Sequence, residues 1–227
     1  MIQYNRSYLG IASGLFIIFI LTCSMIKIGF PAFLDLEDTI TNITQQLVGV
    51  PKMNYTTSFI NSCMTFFTTY GDATTIVILT LFISIILFLK HYTFLGFWFL
   101  GVVSTGGIVG VFLKHLIQRE RPINHLPLDN GFSFPSGHSI GSSLFFGVLL
   151  FVLFPHIKNQ ILKLIAMSLS SVIWFGILSS RIYFSAHHLG DIIAGVSFGL
   201  FWVSSAMIFY SCTASWFQKF IFKKGYI

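Results

Sequence analysis

Three short runs in this chain combine residue types and spacings suited to chemistry on an anion. In the first, Lys114 is followed seven positions on by Arg121-Pro122. On a helix that interval sets both cations on one face, about two turns apart, and the proline favours a helix end near Arg121. Standing alone, the pair reads as two snorkelling interface residues. The second run, Pro135-Ser136-Gly137-His138, lies where a polar loop enters an apolar segment. Serine caps helices, glycine lets backbone approach a ligand, and the free amides and dipole of a helix N-terminus attract anions. A phosphate would fit on the amides of Ser136, Gly137 and His138, with His138 close enough to exchange a proton. An ordinary cap followed by an interfacial histidine is the plain alternative. The third run is Ser180-Arg181, then His187, then Asp191. His187 and Asp191 are four apart, on one face of a helix start, where the carboxylate can accept from one ring nitrogen and leave the other as a nucleophile. His188, three residues from Asp191, competes for this role, and spacing prefers neither histidine.

In combination the runs resemble the type 2 phosphatidic acid phosphatase superfamily, in its bacterial membrane branch. That family's pattern is lysine, six residues, arginine-proline; then proline-serine-glycine-histidine; then serine-arginine, five residues, histidine, three residues, aspartate. Every position of it is present between Lys114 and Asp191. The resemblance implies that His187 attacks phosphorus to form a phosphohistidine, that Asp191 orients it, and that His138 protonates the leaving group. It implies that Lys114, Arg121 and Arg181 neutralise the phosphoryl oxygens, with backbone amides near Ser136 and Gly137 completing the cradle, and it favours His187 over His188.

The implied substrate is a lipid phosphate or diphosphate, such as phosphatidylglycerol phosphate, undecaprenyl diphosphate or phosphatidate. Two other activities share these residues: a lipid phosphotransferase using the same histidine and, from a different class, a non-catalytic protein that binds or transports lipid phosphates. The intact His187, His138 and Asp191 argue against the second. Phosphoryl transfer asks a protein mainly for positioning and positive charge, and arginine forks suit the equatorial oxygens. No acidic cluster of the kind that holds magnesium stands near the runs. A hydrolase that uses no metal and no cofactor is therefore expected.

These side chains need a scaffold, and the composition says which kind. Of 227 residues, 55% are hydrophobic and only 9% charged, a balance that points to a bilayer as solvent. A membrane span takes about 20 mostly apolar residues. Six stretches come close or qualify: Leu9 to Ile26, Ala73 to Leu89, Tyr92 to Leu113, Ser139 to Phe154, Ile161 to Ser179 and Ile192 to Phe217. The expected fold is all-α, a polytopic membrane protein with six transmembrane helices. The first stretch is longer than a signal core and lacks a small-x-small cleavage site, so it reads as an uncleaved anchor. Between the first two spans, Leu36, Ile40, Ile43 and Leu47 recur at helical spacing with Asp38, Thr41, Asn42 and Gln45 between them, the pattern of an outer interfacial helix. Tyr55, Phe59, Cys63, Phe66 and Tyr70 repeat it, as a segment dipping into the membrane or a surface linker. The chain is expected to form one membrane phosphatase domain over 1–227, with a family core at about 92–210 and an outer helical region at 31–70.

With the N-terminus cytoplasmic, Arg6, Lys90, Lys158, Lys163, Lys219, Lys223 and Lys224 lie inside and every acidic residue outside. Lys27, Lys52, Lys114, Arg119, Arg121 and Arg181 also fall outside, so the basic bias alone is weak; phosphate binding accounts for three of these. The expected location is the cell membrane with the site on the extracytoplasmic side, and lipids rather than nucleic acid are the expected partners for the net charge of +6. Cys23, Cys63 and Cys212 are spaced for neither disulfides nor zinc and read as packing residues. Gly106 with Gly110, Gly137 with Gly141, and Gly195 with Gly199 read as close helix contacts. Arg119, Glu120, His115 and His125 read as a solvated loop face, and Trp98, Trp174, Trp202 and Trp216 as lipid-facing or interfacial residues.

Overall fold

The computed structural model describes residues 6–49, 51–126 and 129–220. The side chains of Arg6, Cys212, Trp216 and Lys219, and residues Lys223 and Lys224, lie outside what is described. Eight α-helices follow one another, with no strand among the described residues: α1 (Arg6–Ile28), α2 (Pro31–Val48), α3 (Phe59–Tyr70), α4 (Ala73–Leu89), α5 (Thr93–Ile117), α6 (Gly137–Val148), α7 (Gln160–Tyr183) and α8 (Leu189–Phe220). Their ends follow from local chemistry. Pro31 sits in the first turn of α2, where its missing N–H costs nothing. Ser58, Asp72, Ser136 and Asn159 cap α3, α4, α6 and α7 through side-chain oxygens, each satisfying an amide that has no partner in its own helix.

Five helices are long and apolar enough to cross a membrane, and α3 with α4, bent by 63° at Gly71-Asp72, make a sixth candidate. Leu9, Ile17, Leu21, Ile78, Phe82, Ile165, Leu169 and Phe175 stand exposed, a surface that only lipid would cover at low cost. At the centre, α6 buries nearly its whole circumference, from Ser139 through Val148. It continues as a π-helical turn over Leu149–Leu153 before Pro155 ends it. The contact of α6 with α8 is close because two glycines face it. A Cβ on Gly195 would stand 2.7 Å from the Ser139 Cβ and 3.0 Å from the Ser136 carbonyl, and one on Gly199 would stand 2.7 Å from the Ser143 Cβ. Gly106 and Gly110 are likewise pressed by Leu144, Trp202 and Ile140. Gly137 and Gly141 depart from the expectation: nothing lies within 4 Å of a Cβ on the first, and only Ile76, at 3.9 Å, approaches the second.

One more expectation changes. Lys114 and Arg121 do not share a helix face, because α5 stops at Ile117 and Gln118 turns the chain with φ +52°. Trp98 and Trp202, both half-buried, also tie helices together: their indole N–H groups donate to the Ala206 carbonyl (3.1 Å) and to Thr105 Oγ1 (3.2 Å). In α2, Leu36, Ile43 and Leu47 stand exposed while Glu37 is buried, and the side that docks on the protein mixes half-buried Phe33, Ile40 and Val48 with Glu37, Thr44 and Gln45.

Candidate active site

The C-terminal ends of α5 and α7 and the N-terminal ends of α6 and α8 meet at one end of the bundle. Backbone bonds fix the meeting. The Ser136 amide donates to the Asp191 carbonyl at 3.1 Å, joining the starts of α6 and α8, and the Ser133 amide donates to the Arg119 carbonyl at 2.7 Å, closing the loop between α5 and α6 on itself. The turn between α7 and α8 folds back, with the amides of Ala186 and His187 both directed at the Arg181 carbonyl.

On this frame the expected residues converge. Arg121 leaves the extended segment after α5 and spends its guanidinium on backbone carbonyls: Nε on Gly131 (3.0 Å), Nη2 on Asn130 (3.2 Å) and Nη1 on Ala186 (2.7 Å). That grip holds Nη1 3.5 Å from His187 Nε2. Arg181, 1% exposed at the end of α7, directs Nη2 onto Asp129 Oδ1 at 2.7 Å, and the same carboxylate oxygen stands 4.0 Å from Arg121 Nη1. Two guanidiniums thus surround one acidic group beside His187. Asp129 is held below the usual carboxylate range: burial pushes it up, but the Arg181 and Arg121 charges outweigh burial.

His187 is buried, with Nδ1 3.5 Å from Asp191 Oδ2, a contact longer than a hydrogen bond but correctly aimed. Burial pushes its imidazole down to about 4 against the opposing pull of the Asp191 carboxylate, so the ring is neutral near pH 7 and Nε2 carries a free lone pair when Nδ1 holds the proton. The pair does not lie on one helix face as the spacing suggested. His187 precedes α8, and Asp191 in its first turn accepts the His188 amide at 2.9 Å, the reach-back of a capping box. His188 therefore meets Asp191 through its backbone, and only His187 presents its ring.

His138, in the first turn of α6, places Nε2 3.3 Å from the Thr68 carbonyl, which leaves Nδ1 for proton exchange when Nε2 carries hydrogen. It lies within electrostatic reach of Arg181 and His187. The cradle differs from expectation at one amide: Ser136 N–H is spent on Asp191, and the Ser136 hydroxyl caps Ser139. The amides of Gly137 and His138 remain, since a first turn has no intrahelical acceptor for them. Lys114 shares an apolar cavity of about 270 Å³ with Gly137 and His138, walled by Ile76, Val103 and Leu144 and floored at Gly107 and Gly141. Among the described residues no three His, Cys, Asp or Glu side chains cluster as a metal site would need.

Sequence reasoning missed four participants. Arg119 is no solvated loop residue, because it binds Glu37 and Asp191 at once. Glu37, Asp129 and Thr68, which also stands 3.5 Å from Arg181, carry no motif, and all three touch the site from loops or helices outside the three runs.

Residues 95–216 match the PAP2 superfamily. Phosphatidylglycerophosphatase B of Bacillus subtilis is 31% identical over 148 residues, covering 63% of this chain and 71% of that protein. Lipid A 1-phosphatase of Rhizobium johnstonii is 30% identical over 135 residues, or 54% of this chain, and the chain spans about half, 51%, of its length. A crystal structure of a transmembrane PAP2-type phosphatidylglycerolphosphate phosphatase from Bacillus subtilis shares the fold with a TM-score of 0.72 at 24% identity, covering 94% of this chain and 98% of that one. Matched over more than half of its residues, and to a relative most of whose length it covers, the protein belongs to the PAP2 superfamily.

Proposed function

We propose that this protein hydrolyses the phosphate or diphosphate ester of a membrane lipid through a phosphohistidine on His187, with its site at the extracytoplasmic face of the cell membrane and the chain acting as one domain. The observation that carries the reading is the placement of His187 Nε2 3.5 Å from Arg121 Nη1, beside a point already bracketed by Arg121 and Arg181. A phosphoryl group between those guanidiniums has its charge matched before reaction, which is most of what phosphoryl transfer requires of a protein.

In the first step His187 Nε2 forms a bond to phosphorus as the bond to the lipid oxygen breaks, and His138 gives that oxygen a proton. Asp191 holds the Nδ1 proton and balances the charge that grows on the ring. In the second step His138 takes a proton from water, the water oxygen bonds to phosphorus, the N–P bond breaks and phosphate leaves with His187 restored. Lys114 and the amides of Gly137 and His138 supply further positive potential, so the chemistry needs no metal. The apolar cavity that Lys114 and His138 help to line suits a lipid chain, which supports a lipid over a soluble phosphate. Among lipids, phosphatidylglycerol phosphate is supported by the Bacillus relative, and undecaprenyl diphosphate and phosphatidate are the other candidates.

The test is phosphate release by purified protein in detergent from a panel of these lipids, with a chelator present, compared with His187→Ala. Loss of about 10³-fold or more in the variant is expected for a nucleophile. Release that persists in His187→Ala would remove the nucleophile, and release abolished by the chelator would remove the metal-free route.

A further inference from the structure

The three runs leave one buried cluster unused. Glu37 of α2 is 1% exposed, yet it belongs to none of them and precedes, in sequence, the family match over residues 95–216. Its carboxylate takes both terminal nitrogens of Arg119, Nη1 at 3.1 Å and Nη2 at 2.6 Å, and the Gly190 amide at 2.7 Å. Gly190 has to be glycine for this approach, since a Cβ there would stand 2.6 Å from Glu37 Oε1. Arg119 Nη1 then continues to Asp191 Oδ1 at 2.8 Å. On the other oxygen, Oδ2, Asp191 receives the His188 amide at 2.9 Å and faces His187 Nδ1 at 3.5 Å.

We propose that Glu37 and Arg119 are positioning residues for the nucleophile, acting through Asp191: Arg119 locks Oδ1 so that Oδ2 points at His187, and Glu37 holds and neutralises Arg119. The inference rests on His187 being the nucleophile. Its logic is charge accounting in a dry place. Arg119 alone would cancel the Asp191 charge and leave the carboxylate a poor acceptor for the His187 Nδ1 proton. With Glu37 on its far side, the Glu37–Arg119–Asp191 chain keeps one net negative charge, and that charge is available to the imidazole as it gains positive character on bonding to phosphorus. A planar guanidinium can bridge two carboxylates in this way, whereas a lysine ammonium offers no matching fork. Neither Glu37 nor Arg119 touches the anion pocket, so their effect should fall on turnover and leave substrate binding alone. The groups facing His187 from the surrounding elements are Asp191 of α8, Arg181 of α7, His138 of α6, and Arg121 and Asp129 of the loop between α5 and α6. Glu37→Gln alters none of these directly.

The experiment compares Glu37→Gln, Arg119→Lys, Asp191→Asn and the Glu37→Gln/Asp191→Asn double variant of the full chain in detergent, using the best lipid phosphate of the panel. Outer partners of this type cost about 10- to 100-fold in activity, so Glu37→Gln should lose that much kcat with KM within about twofold, and the acid limb of its kcat/KM profile should move to lower pH as Arg119 goes unbalanced. Arg119→Lys should lose turnover despite its conserved charge. In the Asp191→Asn background, Glu37→Gln should cost little more, because the route through Asp191 is already cut. Full turnover and an unmoved acid limb in Glu37→Gln would overturn the proposal, as would an equal fold-loss in both backgrounds. If Glu37→Gln does not fold, Arg119→Lys gives the same reading, and failure of both to fold would assign the pair to structure alone and also overturn it. Wild-type release that vanishes in His187→Ala keeps the underlying reading apart: losing that contrast overturns the nucleophile, not the positioning pair.

Discussion

Replacing Asp129 with asparagine should turn this protein into a tighter binder of oxyanions. Asp129 Oδ1 lies 2.7 Å from Arg181 Nη2 and 4.0 Å from Arg121 Nη1, so the carboxylate holds the guanidiniums assigned to the phosphoryl oxygens. An incoming phosphate has to displace it or share those donors with it. A hydrogen bond to a charged group has a net worth of about 1.5–3 kcal/mol, and with the side chain 17% exposed against a partner at 1%, solvent screening removes only part of that. Asparagine keeps the shape and one acceptor oxygen but drops the charge, so about 1–2 kcal/mol of the competition should disappear. That is roughly 5- to 30-fold in affinity.

Orthovanadate is the suitable probe, read as a competitive inhibitor of lipid phosphate hydrolysis in detergent. Its Ki and the substrate KM should both fall in Asp129→Asn while kcat changes little, since Asp129 does not touch the reacting atoms. The two arginines outweigh burial and hold Asp129 below the usual carboxylate range, so it is charged throughout neutral pH and the effect should not vary there. A Ki that stays the same or rises would refute the reasoning. It would mean that Asp129 holds Arg181 in place, which is the opposite role for the same contact, since Arg181 Nε has no hydrogen-bond partner among the described residues.

Three further outcomes are expected. Because burial pushes His187 down to about 4 from its ordinary value against the pull of Asp191, the acid limb that His187 sets in kcat/KM should lie near 4; the unfolded chain takes up that proton near 6.5, so stability should fall as pH drops from about 6.5 toward 4, and an acid limb near 6.5 would contradict a buried, neutral imidazole. Gly195→Ala should separate α6 from α8, since its Cβ meets Ser139 at 2.7 Å and the Ser136 carbonyl at 3.0 Å; overpacking of this kind costs about 1–3 kcal/mol, to be seen as a lowered Tm beside Gly14→Ala, whose Cβ meets nothing within 4 Å. Gly107→Leu should fill the cavity below Lys114 and His138, reducing kcat/KM for long-chain lipid phosphates while sparing a short-chain ester, and equal loss on both would deny the cavity a role in holding the chain.

The helices were legible wherever hydrophobicity and caps agreed, as at α4 with Asp72 and α7 with Asn159. The three runs that converge at the candidate site were legible because their order along the chain carries a pattern. What stayed hidden depended on tertiary contact. Arg119 sits between two motif residues and looks like loop charge, and nothing local states that its partners are 82 and 72 residues away. The spacing of Lys114 and Arg121 suits a helix, but a left-handed Gln118 ends α5 between them. The interval of His187 and Asp191 suits a helix face, yet His187 precedes α8 and faces a carboxylate that caps it through the His188 amide. In each case the interval in sequence carries the contact, but the backbone conformation between the residues is set by tertiary structure.

The case of α2 shows what periodicity leaves open for a helix beside a membrane. In water, an amphipathic helix turns its apolar stripe toward the protein, because that is where apolar surface escapes solvent. Beside a bilayer both neighbours are apolar, and the rule loses its sign. Leu36, Ile43 and Leu47 stand exposed and can face lipid at no loss, while the docked side mixes apolar Phe33 and Ile40 with polar Glu37 and Gln45. Gln45 binds the Ile123 carbonyl at 2.6 Å and stands 3.3 Å from Ser185 Oγ, while Glu37 reaches Arg119 and Gly190. A buried ion pair adds little net stability once desolvation is counted, but breaking one side of it is costly. Such a pair is therefore better suited to fixing a position than to adding strength. A slip of α2 by one residue would put Leu36 or Asp38 where Glu37 stands and leave Arg119 on Asp191 alone. The helix is in this way docked at one register by the contact that orients the carboxylate behind His187, so the segment outside the family match is bound to the chemistry inside it.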